Sequence, residues 1–126
     1  MKRISLDEQI AQTARTWIPY PIAQVDDQVV YVAYYKDGNP QLYGAGNKFH
    51  QHDGDQLFVV LTGKVAFHDR VGGQIDAHKG DAVFVGRGEF HRASSKEGAH
   101  VLHVQSKAVA SLFQEEFDRG PEVVAG

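Results

Sequence analysis

The feature that most constrains the fold of this chain is a series of short stretches rich in β-branched and aromatic residues, each ended by a turn sequence. The stretches QVVYVAYY, QLFVVLT and AVFV end at KDGNP, at Gly63 and at GRGE, respectively. About eight short strands at this close spacing are typical of an antiparallel sandwich or barrel. None of the four prolines falls inside a predicted strand, which is consistent with a sheet. We therefore predict an all-β fold.

A short helix is predicted on each side of the strands. Near the start of the chain, Ser5 and Glu8 have the spacing of a capping box, and the two prolines of WIPYPIAQ end the helix. The last segment, SKAVASLFQEEFDRG, carries its apolar residues on one side of a helix. We expect an N-terminal helix and extension over residues 1–28, a barrel over 29–106, and a C-terminal helix and tail over 107–126.

Length, charge and cysteine content exclude several classes of protein. A chain of 126 residues fits one domain. It has no cysteine, so any metal must bind to nitrogen and oxygen ligands. The net charge of -3 gives no attraction to nucleic acid or to an anionic membrane, and no apolar run could span a bilayer. Without an apolar export segment at the N-terminus, we expect a cytoplasmic protein. We expect its partner to be a small-molecule ligand or substrate.

A candidate metal site lies in the stretch FHQHDGDQ. In an extended strand, side chains two residues apart lie on one face, so His50 and His52 are expected to point the same way. The DGD turn brings the chain back beside these histidines. Gln56 lies on the returning strand, and its amide oxygen is a further ligand if that face of the strand points inward. His91, which follows the turn GRGE, offers a third imidazole. Such a ligand set suits Fe(II), Mn, Co, Ni or Zn and leaves coordination positions open. We predict one divalent transition metal (Zn, Mn, Ni or Fe) bound by His50, His52, Gln56 and His91.

These residues resemble the two sequence motifs of the cupin family. The first motif is Gly, five residues, His-x-His, three residues, Glu, six residues, Gly; the matching residues here are Gly44, His50, His52, Gln56 and Gly63, with only the acid changed. In the second motif, Gly80, Gly88 and His91 match, whereas Gly86 and Ser95 replace the usual proline and asparagine. The resemblance covers residues 44–95. It implies a jelly-roll barrel (a double-stranded β-helix) with these ligands inside, as in small bacterial cupins built from a single barrel.

The glutamine at position 56 is expected to change the chemistry of such a site. A carboxamide contributes a dipole where the family's carboxylate contributes a full negative charge, so the metal keeps its whole positive charge. Metal affinity should fall, and the Fe(III) state should be harder to reach. The metal should pull more strongly on a bound water or a substrate oxygen. Similar Gln-for-Glu sites occur in some cupins that act on uronic-acid breakdown products.

The sequence therefore favours a metal-dependent isomerase, epimerase or lyase acting on a small oxygenated acid or sugar. Two alternatives stay open. Fold analogy supports a mononuclear iron dioxygenase, although Gln56 argues against it. The second alternative is a non-catalytic ligand-binding or sensory barrel, in which the histidines are hydrogen-bonded core residues without a metal.

Strand periodicity adds two further predictions. His103 shares one side of its strand with Val101 and Gln105, and it is a candidate general acid or base if that side faces inward. Periodicity alone does not orient the strand, so an exposed His103 is the alternative. The apolar residues on the outward face of QLFVVLT need cover, from which we expect a homodimer.

Overall fold

The computed structural model describes residues 1–13, 17–38 and 49–107. Within these ranges the chain forms one helix and eight strands. The helix is α1 (Leu6–Gln12), and the strands are β1 (Tyr20–Val25), β2 (Gln28–Tyr35), β3 (Gln56–Thr62), β4 (Lys64–Asp69), β5 (Gln74–His78), β6 (Ala82–Val85), β7 (His91–Ser94) and β8 (Ala99–Ser106). The predicted C-terminal helix and tail cover residues 107–126, which lie outside the described residues except for Lys107, so that prediction is not tested.

The strands form two antiparallel sheets. The larger sheet has the order β1-β2-β8-β3-β6, and the smaller one has the order β5-β4-β7. Their inner faces meet in one apolar core, where the ring centroids of Phe58 on β3 and Phe67 on β4 are 5.2 Å apart. Apart from β1 and β2, strands that neighbour each other in the large sheet are distant in the chain, as in a Greek-key barrel rather than a simple meander. The predicted all-β, double-sheet fold is confirmed.

Burial along β3 and β8 alternates with the period of two that a half-buried strand requires. On β3, Gln56, Phe58 and Val60 are buried, and the residues between them are more exposed. On β8, the buried set includes His103 and Gln105. In the register between the two strands, Phe58 lies opposite His103 and Gln56 lies opposite Gln105. The inward face of the large sheet therefore carries buried polar side chains. His103 is one of them and is 5% exposed, so it points inward.

The N-terminal segment contributes a helix and an edge strand. Ser5 caps α1, and its side-chain oxygen accepts a hydrogen bond from the backbone N–H of Glu8 at 3.3 Å, as the capping-box spacing predicted. The helix ends at Gln12 and has no buried residue. Strand β1 pairs with β2, so the large sheet includes residues from the segment predicted as an extension. In the described part of the chain, no helix is long and apolar enough to cross a membrane.

Candidate metal centre

His50 and His91 are held together by the backbone. The N–H of His50 donates to the carbonyl of His91 at 3.0 Å, and the N–H of His91 donates back at 2.9 Å. This is an isolated bridge, and residues 51–55 lie in no strand, so the extended strand expected through His52 does not form. The turn residues that follow, DGD, bend the chain before a ladder can continue. His50 and His52 nevertheless lie close together, with ring centroids 5.1 Å apart.

Hydrogen bonds between two turns fix the position of His52 relative to His91. The N–H of Gly88 donates to the carbonyl of His52 at 3.0 Å. The side chain of Asp55 accepts a hydrogen bond from the N–H of Arg87 at 2.9 Å. Gly88 has a φ of 77°, a left-handed conformation that glycine adopts without strain. The DGD and GRGE turns therefore form one connected frame for the histidines.

The three imidazoles form a cluster. The ring centroid of His91 lies 4.4 Å from that of His50 and 5.9 Å from that of His52. One nitrogen can be chosen on each ring so that all three lie within 4.8 Å of one another. Nδ1 of His91 is 3.0 Å from the carbonyl oxygen of Glu89; as the donor in this bond it leaves Nε2 with its lone pair. Metal–nitrogen bonds of about 2.0–2.1 Å place ligand nitrogens about 3–4 Å apart, which is close to the spacing of this cluster, so the three imidazoles fit a transition metal.

The surroundings of the cluster keep His52 and His91 neutral. Burial, followed by the charges of His50 and His91, lowers the pKa of His52 to about 3. Burial, followed by the charge of His50, lowers the pKa of His91 to about 4, although the hydrogen bond to Glu89 opposes this shift. A metal binds only the neutral imidazole, so the lone pairs of His52 and His91 are available at neutral pH without loss of a proton.

Gln56 lies in the interior with its amide only partly hydrogen-bonded. The side chain is 2% exposed, and its Nε2 donates to Oε1 of Gln105 at 2.6 Å. Its own Oε1 is buried and accepts no hydrogen bond from the described residues. A buried carbonyl oxygen in this state costs about 1–3 kcal/mol unless another donor or a cation reaches it. Gln56 precedes Phe58 on the inward face of β3, and the ring centroids of Phe58 and His91 are 6.1 Å apart.

His103 lies in the barrel interior beside a tyrosine. Its Nε2 is 2.5 Å from the hydroxyl of Tyr35, and its ring centroid is 4.8 Å from that of Phe58. Burial, followed by the charges of His52 and His91, lowers the pKa of His103 to about 3. Burial raises the pKa of Tyr35 well above its usual value. Both groups are therefore neutral, and Nδ1 of His103 makes no hydrogen bond with the described residues.

Two residues of this interior, Tyr35 and Gln105, were missed by the sequence analysis. Tyr35 is one of five tyrosines, and no motif distinguishes it. Gln105 shares the parity of His103 on β8, which was the only sequence signal that could have identified it. Its role depends on its pairing with Gln56, 49 residues away, which local periodicity cannot reveal.

Comparison with protein families gives one match. A family model described as a cupin domain matches residues 42–105, slightly more than half of the 126 residues. The matched region contains all three clustered histidines and Gln56. Among proteins with curated functions, none matches the sequence significantly.

Solved structures with the same fold come from several bacteria. A cupin-2 domain protein from Shewanella frigidimarina has a TM-score of 0.72 at 19% identity, over 82% of this chain and 93% of that one. A protein from Neisseria meningitidis has a TM-score of 0.70 at 20% identity, over 83% of this chain and 99% of that one. A putative ethanolamine utilization protein Q from Salmonella typhimurium has a TM-score of 0.57 at 14% identity, covering 71% of this chain and 68% of that one. At these identities the likeness concerns the fold alone.

Proposed function

This chain belongs to the cupin family, and from that premise we propose that it is a metal-dependent isomerase, epimerase or lyase for a small oxygenated acid or sugar. One divalent transition metal (Zn, Mn, Ni or Fe) would be held by His50, His52 and His91 and by Oε1 of Gln56. When bound, the metal would supply a Lewis acid that polarises a carboxylate, carbonyl or hydroxyl oxygen of the substrate.

The observation that carries this proposal is a cluster of three imidazoles, together with a buried amide oxygen on the inward face of β3 that accepts no hydrogen bond from the described residues. The candidate ligands include no carboxylate, so nothing in the set offsets the positive charge of a cation. A site of this kind attracts an anionic or oxygen-rich substrate, and it disfavours a rise in oxidation state. The uncompensated positive charge therefore favours proton-transfer chemistry over the dioxygenase alternative.

His103 is proposed as the group that moves the proton. Its Nδ1 accepts a proton when Nε2 donates to the Tyr35 hydroxyl, and it donates one when Nε2 accepts from that hydroxyl. The Tyr35 hydroxyl would thus select the tautomer of neutral His103. Because burial lowers the pKa of His103 to about 3, this imidazole is a weak base, so the proton that it removes would have to be one that a bound metal makes acidic. When isomerisation, epimerisation and elimination proceed by proton transfer, a proton first leaves carbon, and a general base can remove it.

Elemental analysis of the protein purified without chelator tests the metal site. We expect stoichiometric Zn, Mn or Ni, and loss of this metal in a His50→Ala variant that keeps its fold. His78, an exposed histidine on β5, provides the matched control, because His78→Ala should retain the metal. Unchanged metal in His50→Ala would refute the ligand set. No metal, even after soaking, would favour the ligand-binding alternative, and iron with oxygen uptake would favour the dioxygenase.

The reaction class is tested by proton exchange. Small hydroxy acids, keto acids and sugars are incubated with the metal-loaded protein in D₂O, and deuterium at carbon is followed by NMR. We expect exchange with at least one substrate, and a rate lower by about 100-fold or more for a His103→Gln variant that retains its metal. An equal rate in this variant would remove His103 from the mechanism.

We also propose a cytoplasmic homodimer. Leu57 and Phe84 are neighbours across β3 and β6 on the outer face of the large sheet, where they are 37% and 63% exposed. Adjacent apolar side chains of this size on a sheet face favour burial against a second copy of the chain.

A further inference from the structure

Gln56 and Gln105 form a buried pair in which one hydrogen bond ties the orientation of each amide to that of the other. The two side chains lie directly opposite each other on the inward faces of β3 and β8, and Gln105 is 0% exposed. Their one hydrogen bond runs from Nε2 of Gln56 to Oε1 of Gln105, at 2.6 Å. Because this bond needs a donor on one side and an acceptor on the other, neither amide can turn over alone without breaking it.

We propose that Gln105 is a positioning residue that holds the Gln56 amide with its oxygen available to the metal. This inference rests on the metal centre proposed above. A carboxylate presents an oxygen in either orientation, whereas a carboxamide turned the wrong way presents an NH₂ group, which cannot bind a cation. A glutamine ligand therefore needs a neighbour that accepts from its NH₂, and Oε1 of Gln105 accepts that bond.

Burial makes the orientation energetically important. Oε1 of Gln56 and Nε2 of Gln105 are both buried and make no hydrogen bond with the described residues. Water cannot freely satisfy the pair, so the bond couples the directions of the two side chains, and only a joint reversal of both amides would keep it. Bound metal would satisfy the oxygen and thereby favour the orientation that the structure has.

The choice of substitution at position 105 separates orientation from simple packing. Gln105→Met keeps the length of the side chain but has no strong acceptor, so the Gln56 amide loses its partner. Gln105→Glu keeps an acceptor oxygen whether or not it is ionised, so the orientation is retained. In a Gln56→Glu background the ligand has two equivalent oxygens, so Gln105→Met should change zinc affinity little in that background. Gln74→Met, at an exposed position on β5, is the matched control.

The experiment measures zinc affinity by competition with a chelator for the wild type and five variants. These are Gln105→Met, Gln105→Glu, Gln74→Met, Gln56→Glu, and Gln56→Glu combined with Gln105→Met. We expect Gln105→Met to weaken zinc binding by about 10–100-fold, the usual effect of losing a group that orients a ligand. Gln105→Glu and Gln74→Met should bind zinc at least as tightly as the wild type. The loss caused by Gln105→Met should shrink to about threefold or less in the Gln56→Glu background. An equal loss in both backgrounds, or no loss in either, would overturn the proposal.

A second measurement needs neither metal nor the Met variant. In metal-free protein, ¹⁵N NMR should show the side-chain NH₂ of Gln56 exchanging with solvent far more slowly than that of Gln74, and Gln105→Glu should preserve this protection. Rapid exchange in the wild type would overturn the proposal even if Gln105→Met does not fold. Failure of the metal centre itself is distinguishable, because the wild type would then bind no zinc.

Discussion

Replacing His103 by glutamine should make the metal-free protein less sensitive to acid. In the folded chain this histidine is fully enclosed, and burial together with the charges of His52 and His91 lowers its pKa to about 3, from 6.5 when it is unperturbed. A histidine with a lowered folded pKa contributes stability that is present above its unfolded pKa. That contribution is lost as the pH falls toward the pKa of the folded state. Over this range the imidazole is protonated in the unfolded chain and stays neutral in the folded chain.

The two pKa values set the size of the effect. Between about pH 7 and about pH 5, the unfolded imidazole goes from mostly neutral to almost fully protonated, whereas the folded one stays neutral. Integrating the difference gives about 2 kcal/mol of stability lost through His103 over this interval, before any other group is counted. The glutamine of the His103→Gln variant cannot take up a proton, so this variant should lose about 2 kcal/mol less than the wild type over the same interval.

Urea unfolding of the chelator-treated proteins, followed by circular dichroism, measures this difference. The comparison concerns the change in unfolding free energy with pH, so a constant loss of stability from the substitution itself cancels. Tyr35→Phe is the matched control: it removes the hydroxyl bonded to Nε2 of His103 but leaves the buried imidazole. It should lower stability by a similar amount at each pH and keep the wild-type dependence.

Two results would refute this reasoning. If the wild type and His103→Gln lose equal stability between the two pH values, His103 is not held neutral by burial. If Tyr35→Phe flattens the pH dependence as much as His103→Gln does, the hydroxyl rather than the desolvated interior controls the proton.

Three further predictions concern the metal, a turn and the outer face. Gln56→Glu should tighten zinc binding by about tenfold or more, since a full negative charge then faces the cation; equal affinity in a chelator competition would contradict the charge argument. Gly63→Ala should lower the unfolding free energy by about 2 kcal/mol or more in urea titrations, because φ is 75° and the new Cβ would overlap the carbonyl oxygen of Gly98. Gly72→Ala, with φ 91° and open space around it, should cost clearly less, and equal losses would refute the role of the overlap. Phe84→Lys should convert a dimer into a monomer in light scattering while Val71→Lys, at an exposed position on the β4–β5 turn, does not; a wild-type monomer would rule out the dimer.

Local sequence patterns were sufficient for most of the fold. Strands β2, β3 and β6 lie where the stretches QVVYVAYY, QLFVVLT and AVFV predicted them, because alternating burial and turn chemistry act over a few neighbouring residues. The capping of α1 by Ser5 is local in the same way. Motif spacing identified the three clustered histidines, although the chain around His52 forms a turn-containing loop rather than the expected strand.

The sequence by itself therefore determined the class of fold, the turns, the absence of thiolate ligands and the three imidazoles. Only the tertiary structure decided that His103 faces inward and that Tyr35, 68 residues away, is its partner. It alone paired Gln56 with Gln105. The reason is that a strand's own periodicity separates its two faces but does not say which one is buried or which residue lies opposite. These depend on the register between strands distant in the chain, and the lowered histidine pKa values follow from the burial that this register creates.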